Sequence, residues 1–453
     1  MEEQILQLIT EKKYSKLRSI LCEINPTDIA QLLEETTSME QLPIVFRILP
    51  KELAAETFVE MDSDLQEHLI STFSDAELKA VFDELFMDDT VDIIDEMPAN
   101  VAKRILKHTD AQTRKLINQI LAYPEDSAGS IMTTEFIDLK KSMTVEEAFE
   151  RIRKIGIDTE TIYTCYVTDN NRHLLGLVTV KDLLLSEKDS LISDLMDDNV
   201  IFAVTIDDRE EVVKLFDRYN LMALPIVDKE NRLVGIVTVD DAIDVIQEEV
   251  TEDIEKMAAI TPTDKSYFKT SVLSIFLARI PWLMLLMLSA TFTGAIISGF
   301  ETRLTVVPAL IAFIPMLMGT AGNSGSQSSV TVIRSISLGD IEFSDIFRVL
   351  WKEMRVSVIC SIALSVVNFA KMWVVDYLLL NSFDSGKEIL EITVVCISLG
   401  FTIIVAKIVG AVLPILAKKI GWDPAVMASP FITTIVDAIS LMIYFGVATW
   451  LLI

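Results

Sequence analysis

Five stretches in the C-terminal part of the chain are long and apolar enough to cross a hydrocarbon core of roughly 30 Å, which takes about 20 helical residues. They fall at 271–298, 305–333, 354–377, 392–416 and 424–450. A spanning segment must satisfy its backbone within itself or by closing a barrel, so runs of this length predict an all-α transmembrane bundle of five helices. Gly and Pro breaks inside them are better tolerated there than in soluble helices. The charge divides at the same place. Residues 1–264 carry 56 Asp and Glu against 26 Lys and Arg, net −30, whereas residues 265–453 carry 11 against 13, net +2. The chain therefore reads as an acidic soluble region joined to a membrane region. Its first residues are polar and acidic, without the apolar centre of a signal peptide.

Short cytoplasmic loops retain Lys and Arg, and this sets the orientation. Arg334, Arg348, Lys352 and Arg355 lie between the second and third spans, and Lys418 and Lys419 between the fourth and fifth; the other loops hold only Arg303 and Lys387. The acidic N-terminal half is thus expected in the cytosol and the C-terminus outside, in a multi-pass protein of the plasma (inner) membrane. Cys22, Cys165, Cys360 and Cys396 form no CxxC, and His68, His108 and His173 no HExxH, which argues against zinc, haem and iron–sulfur chemistry. The strong negative charge argues against a nucleic acid partner. No nucleophile–base pair, Gly-rich phosphate loop or catalytic metal motif points to an enzyme.

Between about residues 24 and 120, short amphipathic helices recur at roughly a dozen residues, as in LAAETFVEM after Glu52, LQEHLISTF after Asp64 and LKAVFDELF after Glu77. That period predicts an all-α helical solenoid in which each unit buries its face on its neighbours. Residues 133–246 instead alternate short β-runs with helices and repeat after about 59 residues, with LGLVTVKDLL after Leu174 matched by VGIVTVDDAI after Leu233. Each copy ends a strand in Thr and places Asp three residues on, at a helix start. The pattern resembles the α/β tandem CBS module. There Thr179 with Asp182, and Thr238 with Asp241, would hold the ribose of an adenine nucleotide such as ATP; plain helix capping explains the same residues equally well. Next comes a helical stretch crowded with Asp240, Asp241, Asp244, Glu248, Glu249, Glu252, Asp253 and Glu255. Like charges three and four apart repel, and solvent and salt or divalent cations would offset the cost. The run leads directly into the first span, which favours the cations.

Tyr123-PEDSAGSIMT closing the solenoid, the paired CBS repeats, the acidic connecting helix, Ala321-GNSGSQSS in the second span and Asp423-PAVMASPFITTIVDAI opening the fifth occur in this order. Together they resemble the MgtE family of magnesium channels over the whole chain. The resemblance implies domains at 1–126 (solenoid), 127–190 and 191–246 (two CBS modules), 247–268 (connecting or plug helix) and 269–453 (pore). It further implies a homodimer with its pore on the two-fold axis, between the second and fifth spans, and a plug helix at roughly 248–268 docked on the cytosolic pore mouth. Regulatory Mg²⁺ is expected at Glu56, Asp88 and Asp241, and at Asp244, Glu249, Glu252 and Asp253. Ser429 stands where an Asn is common in the family and Ser440 where a Gly is common.

Asp437 lies inside the fifth span, where an ionised carboxylate costs on the order of 2.5–3.5 kcal/mol and must face protein, water or an ion. Lys407 or Lys371 could neutralise it; alternatively a two-fold axis brings two Asp437 side chains to one cation. Mg²⁺ sheds its water reluctantly, so outer oxygen acceptors suit it. Pro430 is expected to free a carbonyl near Ser429, with Thr433 and Thr434 one turn before Asp437. Asn323, Ser324, Ser326, Gln327 and Ser328 add acceptors in the second span, or serve tight packing. The resulting expectation is a magnesium-selective channel or transporter gated by cytosolic Mg²⁺, with adenine nucleotide modulation through the CBS pair. The alternatives are a carrier for Co²⁺ or Mn²⁺ and a non-transporting membrane nucleotide sensor; an anion path is disfavoured by the sign of Asp437.

Overall fold

The computed structural model describes residues 2–157, 159–263, 267, 270–304, 308–379 and 388–452. It falls into two compact units, 1–246 and 247–453.

The first unit begins with ten helices, from α1 (Glu2–Thr10) to α10 (Ala111–Ile120). From α5 (Lys51–Val59) onward they start at residues 51, 63, 75, 87, 99 and 111. Each twelve-residue period holds a helix too short to be stable alone, so stability must come from packing between neighbours. Caps define the starts: Ser74 and Glu77 form a reciprocal capping box, and the Asp110 carboxylate accepts from the N–H groups of Gln112 and Thr113. The apolar faces meet around Phe46, Phe58, Phe73 and Phe82, whose successive ring centroids lie 5.5–6.4 Å apart.

The two CBS modules follow as three-stranded sheets. In the first, β1 (Asp138–Lys140) runs parallel to β2 (Thr164–Thr168), which pairs antiparallel with β3 (Leu174–Thr179). In the second, β4 (Ala203–Val204), β5 (Ala223–Val227) and β6 (Leu233–Thr238) repeat the order. The two hairpins meet edge to edge, the Leu174 N–H donating to the Asn231 carbonyl at 3.2 Å and the Leu233 N–H to the Arg172 carbonyl at 2.8 Å. Helix α11 (Val145–Ile155) precedes β2, α12 (Val180–Leu185) and α13 (Ile192–Leu195) follow β3, and α14 (Arg209–Tyr219) precedes β5. The hairpin strands β2 and β3 recur after 59 residues as β5 and β6, but α11 and α14 start at 145 and 209, so the first module carries five extra residues between its helix and β2.

Helix α15 (Val239–Met257) starts directly after β6 and continues into the connecting segment. The expected plug helix is therefore no separate element, and it stops well short of residue 268. Ala259 adopts φ +54°, the Ile260 N–H turns back to the Glu255 carbonyl, and Pro262 follows. A left-handed residue and a proline end a helix here as they do elsewhere. Residues 264–266 and 268–269 of that expected helix lie outside the described residues.

The second unit contains α16 (Val272–Leu304), α17 (Ile314–Ser337), α18 (Ile346–Lys371), α19 (Glu388–Lys419) and α20 (Ser429–Leu452). Four helical segments among the described residues, all but α17, are long and apolar enough to span a membrane. Helix α17 falls short because Gly, Ser, Asn and Gln fill its middle. It begins later than the expected second span, after a 3₁₀ turn over Pro308–Phe313; 305–307 lie outside the described residues. Small residues let α17 wedge between α19 and α20. A Cβ on Gly410 of α19 would overlap the carbonyl oxygen of Gly325, and one on Gly322 would sit 2.9 Å from Thr433 Cγ2. Gly410→Ala is expected to lower the unfolding temperature of the detergent-solubilised chain by more than about 5 °C. Gly294→Ala, with nothing within 4 Å of the added carbon, should leave it unchanged.

Candidate functional site

Two groups of carboxylates stand out, one in each unit.

In the second unit, the break before α20 places Asp437 two turns into the helix. The break itself differs from expectation. A 3₁₀ turn over Pro424–Met427 is capped by the Asp423 carboxylate, Ala428 is extended, and α20 then starts at Ser429. Pro430 therefore occupies the first turn, where a missing N–H costs no helical hydrogen bond, and it frees no carbonyl in mid-helix. Its own carbonyl accepts from the Thr433 hydroxyl at 2.9 Å and the Thr434 hydroxyl at 3.1 Å. The hydroxyl of Ser440, the other departure from the family pattern, is buried and donates to the Val436 carbonyl at 2.5 Å.

The Asp437 side chain is half-buried, and among the described residues it makes neither an ion pair nor a hydrogen bond. Neither lysine considered as its partner reaches it. Lys371 lies 5.6 Å from the Phe313 ring centroid, and Lys407, buried in α19, approaches the Ser328 hydroxyl at 3.4 Å. The acceptors of α17 divide between two faces. Ser324 and Ser328 are buried within the protomer, so they belong to packing, whereas Asn323, Gln327 and Thr331 are exposed. Gly322 lies against Thr433, and Gly325 against Ile432 and Val436, so α17 packs on the turn of α20 that precedes Asp437.

Also in this unit, the end of α15 is fastened to the start of the α20 region. Lys256 Nζ is 2.7 Å from an Asp423 carboxylate oxygen and 2.5 Å from one of Glu252, and Met257 packs on Ile333, Ala425 and Ala428. Burial would lower the Lys256 ammonium, but the hydrogen bonds it donates to Asp423 and Glu252 hold it well above its usual range. The Ser337 hydroxyl donates to Asp253 at 3.4 Å.

In the first unit, carboxylates from three domains crowd together. Asp88, in the first turn of α8 (Met87–Glu96), is only 7% exposed. Burial, followed by the charge of Asp241, pushes it well above the ordinary carboxylate range. Burial and Asp241 raise its neighbour Asp89 to about 7. Burial and Asp89 raise Glu160 to about 8, and one Glu160 oxygen is buried without a hydrogen bond. Asp241 is raised by burial against the hydrogen bond from Thr238, and Asp244 by burial and Asp240. Glu135 accepts from the Met87 N–H at 2.8 Å, capping α8 from outside, and from the Thr133 hydroxyl at 3.1 Å. Among the described residues no three acidic, His or Cys side chains converge on a point that would hold a metal ion, so the group is crowded without being closed.

Of the expected regulatory residues, Asp88 and Asp241 are thus together, while Glu56 is exposed and the charge from its helix end that acts on Asp89 is Glu60. Asp244 lies in the first unit; Glu249, Glu252 and Asp253 lie in the second. Glu160 was legible only by noticing that the first repeat is five residues longer than the second, since it lies in that extra loop. The Thr179–Asp182 and Thr238–Asp241 pairs are both hydrogen-bonded, hydroxyl to carboxylate, at 2.5 Å; the first completes a capping box. The side chain of Ser429 lies outside the described residues.

Comparison with known proteins agrees along the whole chain. Residues 2–126 match the family described as MgtE intracellular N domain, 128–188 and 192–248 match the CBS domain, and 314–447 match the MgtE family described as divalent cation transporter. The magnesium transporter MgtE of Thermus thermophilus is 35% identical over all of this chain and 99% of its own length, and that of Bacillus subtilis is 32% identical over 98% and 96%. A solved structure of the cytosolic domain of the Mg²⁺ channel MgtE in complex with ATP is 34% identical, with a TM-score of 0.52 over 54% of this chain and all of its own. The soluble part of a magnesium transporter gives 0.51 at 26% identity over 55% and 97%. The chain is a member of the MgtE family of magnesium transporters, a membrane protein with an intracellular N-terminal domain and a CBS pair.

Proposed function

We propose that the chain is a magnesium-selective channel of the plasma membrane, gated by cytosolic Mg²⁺. The observation that carries this is the Asp437 carboxylate, which has no cation among the described residues and sits on a helix packed against α17, whose Asn323, Gln327 and Thr331 are exposed. A charge of that kind in a bilayer requires water, an ion or a second subunit. In this reading α17 is the second of five spans, polar because it lines the pathway, so the N-terminus is cytosolic and the C-terminus outside. Two copies meet with their α17 and α20 edges on a two-fold axis. Two Asp437 carboxylates then face one hydrated Mg²⁺ among the oxygens of Thr433, Ser429 and Asn323. Co²⁺ and Mn²⁺ share this donor preference, and the broader description of the matched family includes them.

Gating follows from charge. At high cytosolic Mg²⁺ the ion neutralises carboxylates of the first unit, Asp88 and Asp241 with Glu56 at the periphery, joined by Asp89, Glu135 and Glu160, and a second group at Asp244, Glu249, Glu252 and Asp253. Repulsion falls and the closed state is favoured; at low Mg²⁺ the bare charges favour the open one. ATP bound to the solved relative supports a nucleotide at Thr179–Asp182 or Thr238–Asp241 as a modulator.

Protons test the same electrostatics. The folded values of about 7 for Asp89 and about 8 for Glu160 lie above their ordinary 3.8 and 4.5. The folded state therefore keeps protons that the unfolded state releases. Their contribution is most favourable below the ordinary values and is lost as pH rises through the folded ones. Thermal unfolding of the full-length chain without divalent ions should thus show falling stability from about pH 5 to pH 8, with millimolar Mg²⁺ restoring much of the loss at pH 8. Glu160→Gln should raise the unfolding temperature by about 2–4 °C at pH 8 and by much less at pH 5. In proteoliposomes, Asp437→Asn should abolish Mg²⁺ influx while the dimer stays intact in size-exclusion chromatography; wild-type influx would remove Asp437 from the pathway.

A further inference from the structure

The pathway reading leaves Lys407 unused, a cation buried at 5% exposure inside α19. A lysine in a bilayer interior requires a counter-charge or a chain of hydrogen bonds leading to one. Asp437 does not supply it. Among the described residues the polar contact of Lys407 is the Ser328 hydroxyl at 3.4 Å, and that hydroxyl donates to Glu353 Oε2 at 2.6 Å. A hydroxyl has one proton to give and lone pairs to receive. Ser328 gives its proton to the carboxylate of α18 and presents a lone pair to the ammonium of α19. It is thereby the common partner of two opposite charges on two different helices, and it belongs to a third, α17.

The surroundings make this contact sensitive to position. Gly325, one turn before Ser328, lies against Gly410, one turn after Lys407, so closely that a Cβ would not fit. Helix α17 therefore has little freedom to slide along α19 while the hydroxyl stays between the two charges. Ser328 is buried, and the Asn323, Gln327 and Thr331 edge of the same helix is exposed. Whatever fixes Ser328 also fixes how that edge stands beside Asp437.

We propose that Lys407, Ser328 and Glu353 form a three-helix polar brace in which Ser328 is a positioning residue, holding the polar edge of α17 in the arrangement that conducts the divalent cation. This rests on the pathway proposed above. The brace acts on transport without touching the ion, and its signature is a loss of maximal flux with little change in the concentration at half-saturation.

The test uses the full-length chain in proteoliposomes with a Mg²⁺-sensitive dye inside, each variant first checked for a monodisperse dimer. Ser328→Ala should lower maximal influx roughly tenfold and change half-saturation by less than about twofold, and Ser328→Thr should recover at least half of the wild-type flux. Lys407→Glu and Glu353→Lys should each abolish influx, with partial recovery in the double exchange. If the exchanged variants do not fold, the Ser328 pair decides. Wild-type flux in Ser328→Ala, or equal impairment of the Ala and Thr variants, overturns the brace. Influx that depends on Asp437 but not on Ser328 sinks the brace alone, whereas influx indifferent to Asp437→Asn sinks the pathway itself.

Discussion

An unpaired carboxylate in a low-dielectric setting sets the terms for much of this molecule. Asp437 lies inside a helix that otherwise carries apolar and small residues, and neither Lys371 nor Lys407 comes to it. Charge left uncompensated by the protein is unstable in a bilayer unless something mobile supplies the opposite sign. The acid group of the first unit repeats the condition in a soluble setting. Burial raises Asp88, Asp89 and Glu160, and the charges of neighbouring carboxylates add to it. Under the proposed function both regions take part of their neutralisation from outside the chain, and Mg²⁺ is suited to provide it.

The helices of the second unit are arranged so that this condition persists. Glycines at 322, 325 and 410 bring α17 against α19 and α20 so closely that an added Cβ would meet Thr433, Ile432 or the backbone of Gly325. The lysine that is present points elsewhere. Close packing in a bilayer gains from small residues because the lipid tails give helices no hydrophobic reason to associate. The stretch of α17 around these glycines thus packs on one face and exposes a polar edge on the other: the packing reading holds for Ser324 and Ser328, and the acceptor reading of Asn323 belongs to the proposed pathway.

Periodicity was the legible part of the chain. The dozen-residue rhythm of the solenoid and the 59-residue CBS repeat correspond to helices and strands at those spacings, because a repeated unit must bury the same face in the same way each time. The identity of carboxylates in mid-helix was legible too, since Asp437 violates the pattern around it. What the sequence hid was every relation that depends on an end or an insertion. Pro430 looked like a mid-helix break and is a first-turn residue, because Ala428 interrupts the chain before it. The acidic run from Asp240 to Glu255 reads as one helical stretch and is one, but the plug helix expected to reach 268 is its tail and ends at Met257, where Ala259 and Pro262 turn the chain. Glu160 lies among the residues by which the first module exceeds the second, and a repeat carries no signal for residues present in one copy alone.

The acidic residues of α15 further show why charge counting alone misjudges a sensor. Glu252 belongs to the same crowded run as Asp240 and Asp241, but its environment is opposite in sign: Lys256 sits between it and Asp423. A divalent cation arriving at Glu252 must compete with an ammonium already within hydrogen-bonding distance, whereas one arriving near Asp88 meets only negative neighbours and a buried carboxylate that its charge would relieve. Hard cations bind where the carboxylate has no better partner. Under the proposed gating the first unit is therefore where a change in magnesium concentration alters electrostatic energy most, and the lysine-held end of α15 is where the second unit resists alteration.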